Sequence, residues 1–202
     1  MAEIINQISS YQGVEWVKIT VPEGYQLLEI AALVQEKLAI SKESFITFVR
    51  QQAKSHFQNQ FPFLRALPVQ TIEGYLYPET YYFSQGTTHI QVISAMLKQC
   101  ELTLLPIWNQ TAKKGRLKTF HQAVSLAAMI EKEAQDRSEM PLISSVFHNR
   151  LKKGMYLASD PTVLYALGKL HTKTLYYKDL EVKSPYNTYK NFGIPVGPIA
   201  SP

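Results

Sequence analysis

The chain has 202 residues, of which 46% are hydrophobic, one cysteine, and a formal net charge of +5. That composition excludes a disordered chain and supplies one sizeable core, with room for a small appended unit. A single cysteine, Cys100, excludes an intrachain disulfide and leaves the compartment open, and no zinc-type Cys/His spacing occurs, so no metal is expected.

The basic balance favours acidic partners such as nucleic acid, anionic lipid or an anionic cell-wall polymer. Its densest run, Lys113, Lys114, Arg116 and Lys118, carries no interleaved aromatics, so a nucleic-acid partner is not expected. The opening MAEIINQISSYQ has polar and acidic residues and no long apolar run, so it reads as neither signal peptide nor membrane span.

Residues Glu15 to Val21 alternate Val17, Ile19 and Val21 against Trp16, Lys18 and Thr20, the period of a half-buried strand. Pro22, Glu23 and Gly24 turn the chain, and Leu27, Ile30, Ala31, Val34 and Leu38 mark an amphipathic helix. Ser41 is placed to cap a second helix from Lys42 to about Phe57, which completes a strand-helix-helix unit. A loop follows around Pro62 and Pro68. The tyrosine-rich EGYLYPETYYF, Glu73 to Phe83, is interrupted by Pro78 and reads as an edge strand or ordered loop. Its rings and those of the later tyrosines could stack on sugars, although packing explains each one singly. Thr87 or Thr88 caps a helix to about Leu104 whose inner face includes Cys100, an inert buried thiol.

The central stretch is FHQAVSLAAMIEKEAQ, Phe120 to Gln135. Ala123 to Ile130 is apolar or small at nearly every position, the mark of a helix buried all round. Glu133 follows Leu126, Met129 and Ile130 at helical spacing, whereas Glu131 follows Val124, Ala127 and Ala128. Desolvation and the negative helix end both raise the pKa of Glu133, as a general acid requires. Solvation of a helix end, or pairing with a base, accounts for the same two acids without chemistry.

Asp136 or Ser138 caps the next helix, with Pro141 in its first turn and Gly154 at its end. Arg150 shares the side of Ile143 and Phe147 and is expected to need a carboxylate, from Glu131 or Asp136; an ion pair with Glu131 would leave Glu133 free. Asp160 and Pro161 read as cap and first turn of a short helix closed by Gly168, a role that competes with a substrate contact for Asp160. His148 and His171 have no partner at a motif spacing. The tail SPYNTYKNFGIPVGPIASP has no periodic pattern and reads as a turned loop. In it Tyr186, Asn187, Thr188 and Tyr189 offer hydroxyl- and amide-binding groups, or satisfy their own turn.

The segments EGYLYPETY, MIEKEA, SSVFHNRLKKGM, SDPTVLYALG, SPYNTY and GIPVGPIASP, in that order, make the chain resemble the MltG family (YceG-like) of endolytic murein transglycosylases. ITVPEGYQLLEIA is similar to the LysM-like region that precedes the catalytic domain in that family. The resemblance implies an α+β fold. A small LysM-like N-terminal subdomain over 14–60 would precede a mostly helical catalytic domain over 70–202 that is truncated at its C-terminal side. It implies cleavage of the MurNAc to GlcNAc bond inside peptidoglycan strands, with a 1,6-anhydro product, no cofactor, and action beside the peptidoglycan synthases at the outer face of the plasma membrane.

The second glutamate of the family's E-K-E motif, Glu133 here, would be catalytic. Tyr75, Glu79, Asn149, Ser159, Asp160, Tyr186, Asn187, Thr188 and Tyr189 lie in motifs that would contact glycan. Three departures stand out: Ala158 occupies the place of a usual glutamine, the family's N-terminal membrane helix is not in this sequence, and the sequence stops at Pro202. They make a glycan-binding or scaffolding module without turnover the alternative reading.

Overall fold

The computed structural model describes residues 15–111, 115–169 and 174–202. Val14, the N-terminal stretch before it, Lys113, Lys114 and His171 lie outside the described residues. Helices dominate, and two strands form an antiparallel pair, an α+β arrangement.

Strand β1, Trp16–Thr20, pairs with β2, Thr80–Ser84, in the register Trp16↔Ser84 to Thr20↔Thr80. Period-two alternation buries Ile19 and leaves Trp16 at the surface. Helix α1, Leu27–Leu38, starts at a capping box between Gln26 and Glu29 and stops where Ala39 turns left-handed. Ser41 caps α2, Lys42–Gln51, by accepting from the Ser44 amide. The single helix expected to Phe57 is broken at Gln52, and α3, Ala53–Phe57, follows as a separate turn.

Helix α4, His89–Gln110, has a Thr88–Gln91 capping box and runs past Pro106, further than the expected end near Leu104. It is long and apolar enough to cross a membrane, but Val92, Ile93, Met96, Leu97 and Cys100 are buried in the core. Helix α5, Phe120–Glu133, is capped by Thr119. Asp136 caps a short 3-10 turn, Arg137–Glu139, after which α6, Met140–Lys153, runs to a left-handed Gly154. Helix α7, Asp160–Ala166, is about two turns long, and a 3-10 turn, Tyr177–Glu181, precedes the loops of the tail.

Two cores result. The first joins Ile19, Leu27, Phe45, Leu64, Ile72, Leu76, Ile93 and Met96; the second joins Leu126, Ala128, Met129, Phe147, Leu157 and Ile199. Helix α5 belongs to both, with Val124 in the first and Leu126 in the second. The strand-helix-helix unit therefore has no separate core: the sheet and the first core both cross the boundary expected between residues 60 and 70. A lone strand leaves its edge groups unpaired, and β1 finds its partner in β2.

The tail fastens the two halves. The Gly24 amide donates to the Ser201 carbonyl at 2.7 Å and the Ser201 amide to the Tyr25 carbonyl at 2.9 Å. Pro198 lies so close to Gly74 (φ +86°) that a Cβ there would stand 2.2 Å from the proline Cβ. Only glycine fits that approach.

Candidate active site

Glu133 is the last residue of α5. Two positions along a helix correspond to about 200° of rotation, so Glu131 and Glu133 face opposite sides. Glu133 faces the second core's side. Its Oε2 accepts a hydrogen bond from Ser159 Oγ at 3.1 Å. Glu131 lines a groove of about 1040 Å³ with Ala127, Trp108, Asn149, Lys152 and Pro202. That groove does not include Glu133, whereas Asn149, expected to contact glycan, lies in its lining.

Burial pushes the Glu133 carboxyl above the usual carboxylate range, Ser159 opposes this by bonding the charged form, Asp160 adds to it, and Arg150 opposes it. As a whole residue Glu133 is exposed. Its acid group thus stands at a rim, desolvated locally rather than enclosed in the core as the apolar stripe suggested. Glu131 is also raised, first by burial and then by Glu23, so the shift alone does not separate the two acids; their hydrogen-bond partners and directions do.

Ser159 is fully buried and tightly held. Its amide donates to Thr188 Oγ1 at 3.0 Å, its carbonyl accepts from Thr162 Oγ1 at 2.6 Å, and the two threonine hydroxyls are 2.9 Å apart. Just before it, the Ala158 amide donates to the Thr188 carbonyl, and Ala158 itself adopts φ +48°, a left-handed conformation unusual for a residue with a Cβ. The tail and the start of α7 are thereby locked together beneath the Glu133 carboxyl.

Asp160 does not cap its helix; Ser159 occupies the cap position and no side chain bonds there. The Asp160 carboxylate instead accepts from Tyr189 Oη at 2.6 Å. Tyr189 is pushed up to about 12 by burial and by this bond. Both groups belong to the Glu133 neighbourhood, since Asp160 acts on the Glu133 carboxyl and Glu133 on Tyr189.

The other expected contact residues make the following bonds and contacts within the protein. Asn187 is buried and donates to the carbonyls of Leu180 and Val182 while accepting from the Tyr189 amide, so it satisfies its own turn. Tyr75 is buried with its hydroxyl 2.7 Å from His121 Nδ1. Glu79 is exposed at the start of β2 and accepts from the Thr80 amide. Tyr186 packs its ring against Tyr165, 4.7 Å between centroids.

Arg150 forms no ion pair with Glu131 among the described residues; its guanidinium donates to the Leu157 carbonyl. The Leu157 carbonyl thus takes a half-buried donor that the sequence assigned to a carboxylate, and the Arg150 charge also acts on Glu133 and Tyr189.

One buried acid was not singled out from the sequence. Glu73 accepts from the Leu27 amide at 3.0 Å and from Tyr165 Oη at 2.8 Å, joining α1 to α7. Its signal was an acid between Ile72 and the obligatory Gly74, in a segment too apolar to leave it in water.

A profile of the YceG-like family matches residues 1–202. The chain is 40% identical to the endolytic murein transglycosylase of Bacillus subtilis (strain 168), over 98% of this chain and 56% of that protein. It is 35% identical to the endolytic murein transglycosylase of Streptococcus pneumoniae serotype 2, over 91% of this chain and 36% of that protein. The crystal structure of a yceG-like protein from Listeria monocytogenes superposes with a TM-score of 0.84 at 34% identity, covering 99% of this chain and 68% of that one. The chain thus spans about half the length, or less, of the curated relatives it matches. On the family profile, these identities and the shared fold, it belongs to the YceG-like family.

Proposed function

We propose that this chain is the glycan-cleaving part of a peptidoglycan lytic transglycosylase acting outside the cytoplasm, with Glu133 as its single acid and base. The observation that carries the reading is the Ser159 to Glu133 hydrogen bond at the rim of the second core. With Oε2 engaged by a donor, the proton of the neutral acid resides on Oε1, where a glycosidic oxygen can receive it. Burial supports that neutral state.

In the first step Glu133 gives its proton to the oxygen bridging MurNAc and GlcNAc, and the bond to the MurNAc anomeric carbon breaks. Positive charge spreads over that carbon and the ring oxygen, and the carboxylates of Glu133 and Asp160 face it. In the second, the MurNAc C6 hydroxyl closes on the anomeric carbon and its proton returns to Glu133. The products are a GlcNAc end and a 1,6-anhydro-MurNAc end, with no water consumed. A hydrolase would need a second carboxylate to activate water or attack the sugar, at a defined separation. Nascent glycan strands are the proposed substrate, and the synthases that extend them the proposed partners.

Digestion of uncrosslinked glycan strands with the wild-type chain and with Glu133→Gln, read by mass spectrometry, tests this. Anhydro-ended fragments are expected from the wild type only. Reducing ends, or anhydro ends that persist in Glu133→Gln, would overturn it. A second reading, glycan binding without turnover, is favoured by Ala158, whose left-handed backbone carries only a methyl where the family resemblance leads one to expect a glutamine. It predicts co-sedimentation with glycan and no fragments.

A further inference from the structure

Beside the Glu133 site two aromatic rings stand stacked at the surface. Tyr156 and Phe192 have centroids 3.9 Å apart and planes within 13° of parallel. Tyr156 is 39% exposed and Phe192 66%. Each ring covers one face of the other, and neither belongs to the two cores.

The segments that carry the rings are pinned. On the Tyr156 side, Arg150 holds the Leu157 carbonyl and the Met155 amide donates to the Arg150 carbonyl at 2.9 Å. On the Phe192 side, Asn191 Nδ2 donates to the carbonyls of Ser184 and Asn187 at 2.8 and 2.9 Å. The Ala158 to Thr188 backbone bond ties the two segments together between the rings and the acid. Tyr156 is three residues before Ser159, whose hydroxyl bonds Glu133, and three residues of extended chain span at most about 11 Å. Phe192 follows Tyr189, which bonds Asp160, by the same number of residues.

We propose that the Tyr156–Phe192 pair is a sugar-stacking platform, a subsite that takes a pyranose ring of the glycan strand close to the bond cleaved at Glu133. The inference rests on the glycan reading of the Glu133 site for its ligand class. An exposed ring offers a flat apolar face to the axial C–H groups of a pyranose, and the tyrosine adds a hydroxyl for the sugar's polar edge. Because the rings already support each other, little side-chain freedom remains to be lost when the sugar docks.

The test uses the full chain in the Glu133→Gln background, with uncrosslinked glycan strands as the probe and the dissociation constant as the readout. Tyr156→Ala and Phe192→Ala are each expected to weaken binding about tenfold, the equivalent of one good stacking contact. Phe192→Leu, which keeps apolar bulk without a flat face, is expected to weaken it as well, while Tyr156→Phe retains most of it. Tyr177→Ala removes a 93% exposed ring that is not part of the stacked pair and is expected to leave binding unchanged. Unchanged affinity in Phe192→Leu and in the double alanine variant overturns the platform. The digest by the wild-type chain is read separately. Ring variants that lose binding while the wild type makes no anhydro ends uphold the platform and defeat the catalytic assignment. Anhydro ends with unchanged binding in the ring variants do the reverse.

Discussion

Replacing Ser159 by alanine removes one hydrogen-bond donor from Glu133 and little else, since Thr188 and Thr162 hold the residue through its backbone. A hydrogen bond to a charged group contributes about 1.5–3 kcal/mol, and 3.1 Å is long for a hydroxyl donor, which places this one at the low end. The bond strengthens as Glu133 releases its proton and becomes a carboxylate. Its loss therefore raises the barrier by about 1–2 kcal/mol, and kcat falls about five- to thirtyfold.

The pH profile supplies the sign. In the proposed mechanism neutral Glu133 is the active form, so activity is expected to fall as pH rises through its pKa. Ser159 holds that pKa down by favouring the ionised form. Ser159→Ala is therefore expected to move the alkaline limb of kcat upward in pH while lowering the plateau. The assay is the rate of anhydro-end formation from uncrosslinked strands across pH, for wild type and variant. An alkaline limb that moves downward, or an unchanged profile with unchanged kcat, refutes the role of the hydroxyl.

Two stability predictions follow from buried groups. Gly74→Ala combines a left-handed backbone with a Cβ 2.2 Å from Pro198, about 1–2 kcal/mol for the first and about 1–3 for the second. Gly86→Ala has a similar φ of +79° and open space around it, so it carries the first cost alone; equal losses for the two in urea unfolding would remove Pro198 from the account. Glu73→Gln addresses the buried acid whose pKa is raised, by burial first. A raised carboxyl holds its proton more tightly folded than unfolded, so its stabilising share is complete below the unfolded value and is lost as pH rises toward the folded one. Relative to wild type, Glu73→Gln should gain stability as pH rises above the ordinary carboxylate range, and a wild-type to variant difference that is flat in pH would contradict this.

Local spacing carried much of the fold. The apolar set from Leu27 to Leu38 and the Ser41 cap gave two helices at their observed starts. The opposed faces of Glu131 and Glu133 follow from helical geometry alone; Ala127 and Val124 do line the Glu131 side, but Ile130, expected with Glu133, lines it too, and Ala128, expected with Glu131, joins the second core. What stayed hidden was non-local. The β1–β2 pairing joins residues from opposite sides of four helical segments, and nothing in either strand names its partner. Asn187 and Thr188 show why polar turn residues are ambiguous: the same side chains could face a sugar or bond the backbone, and here Asn187 takes two carbonyls and Thr188 holds Ser159. Asp160 preceding a proline matched a cap, but Tyr189, far along the chain, took the carboxylate.

The bonds between Gly24, Tyr25 and Ser201 close almost the whole described chain on itself. Bringing such distant residues together costs about 5 kcal/mol in chain entropy before any contact rewards it. During synthesis the first core can assemble while the tail is still inside the ribosome, because its members come from residues 19 to 124. The threonine lock under Glu133 cannot, since Thr188 emerges late. Glu133 is therefore one of the last groups to gain its full set of neighbours, and a nascent chain stalled short of residue 188 would hold a folded half without the lock beneath that acid.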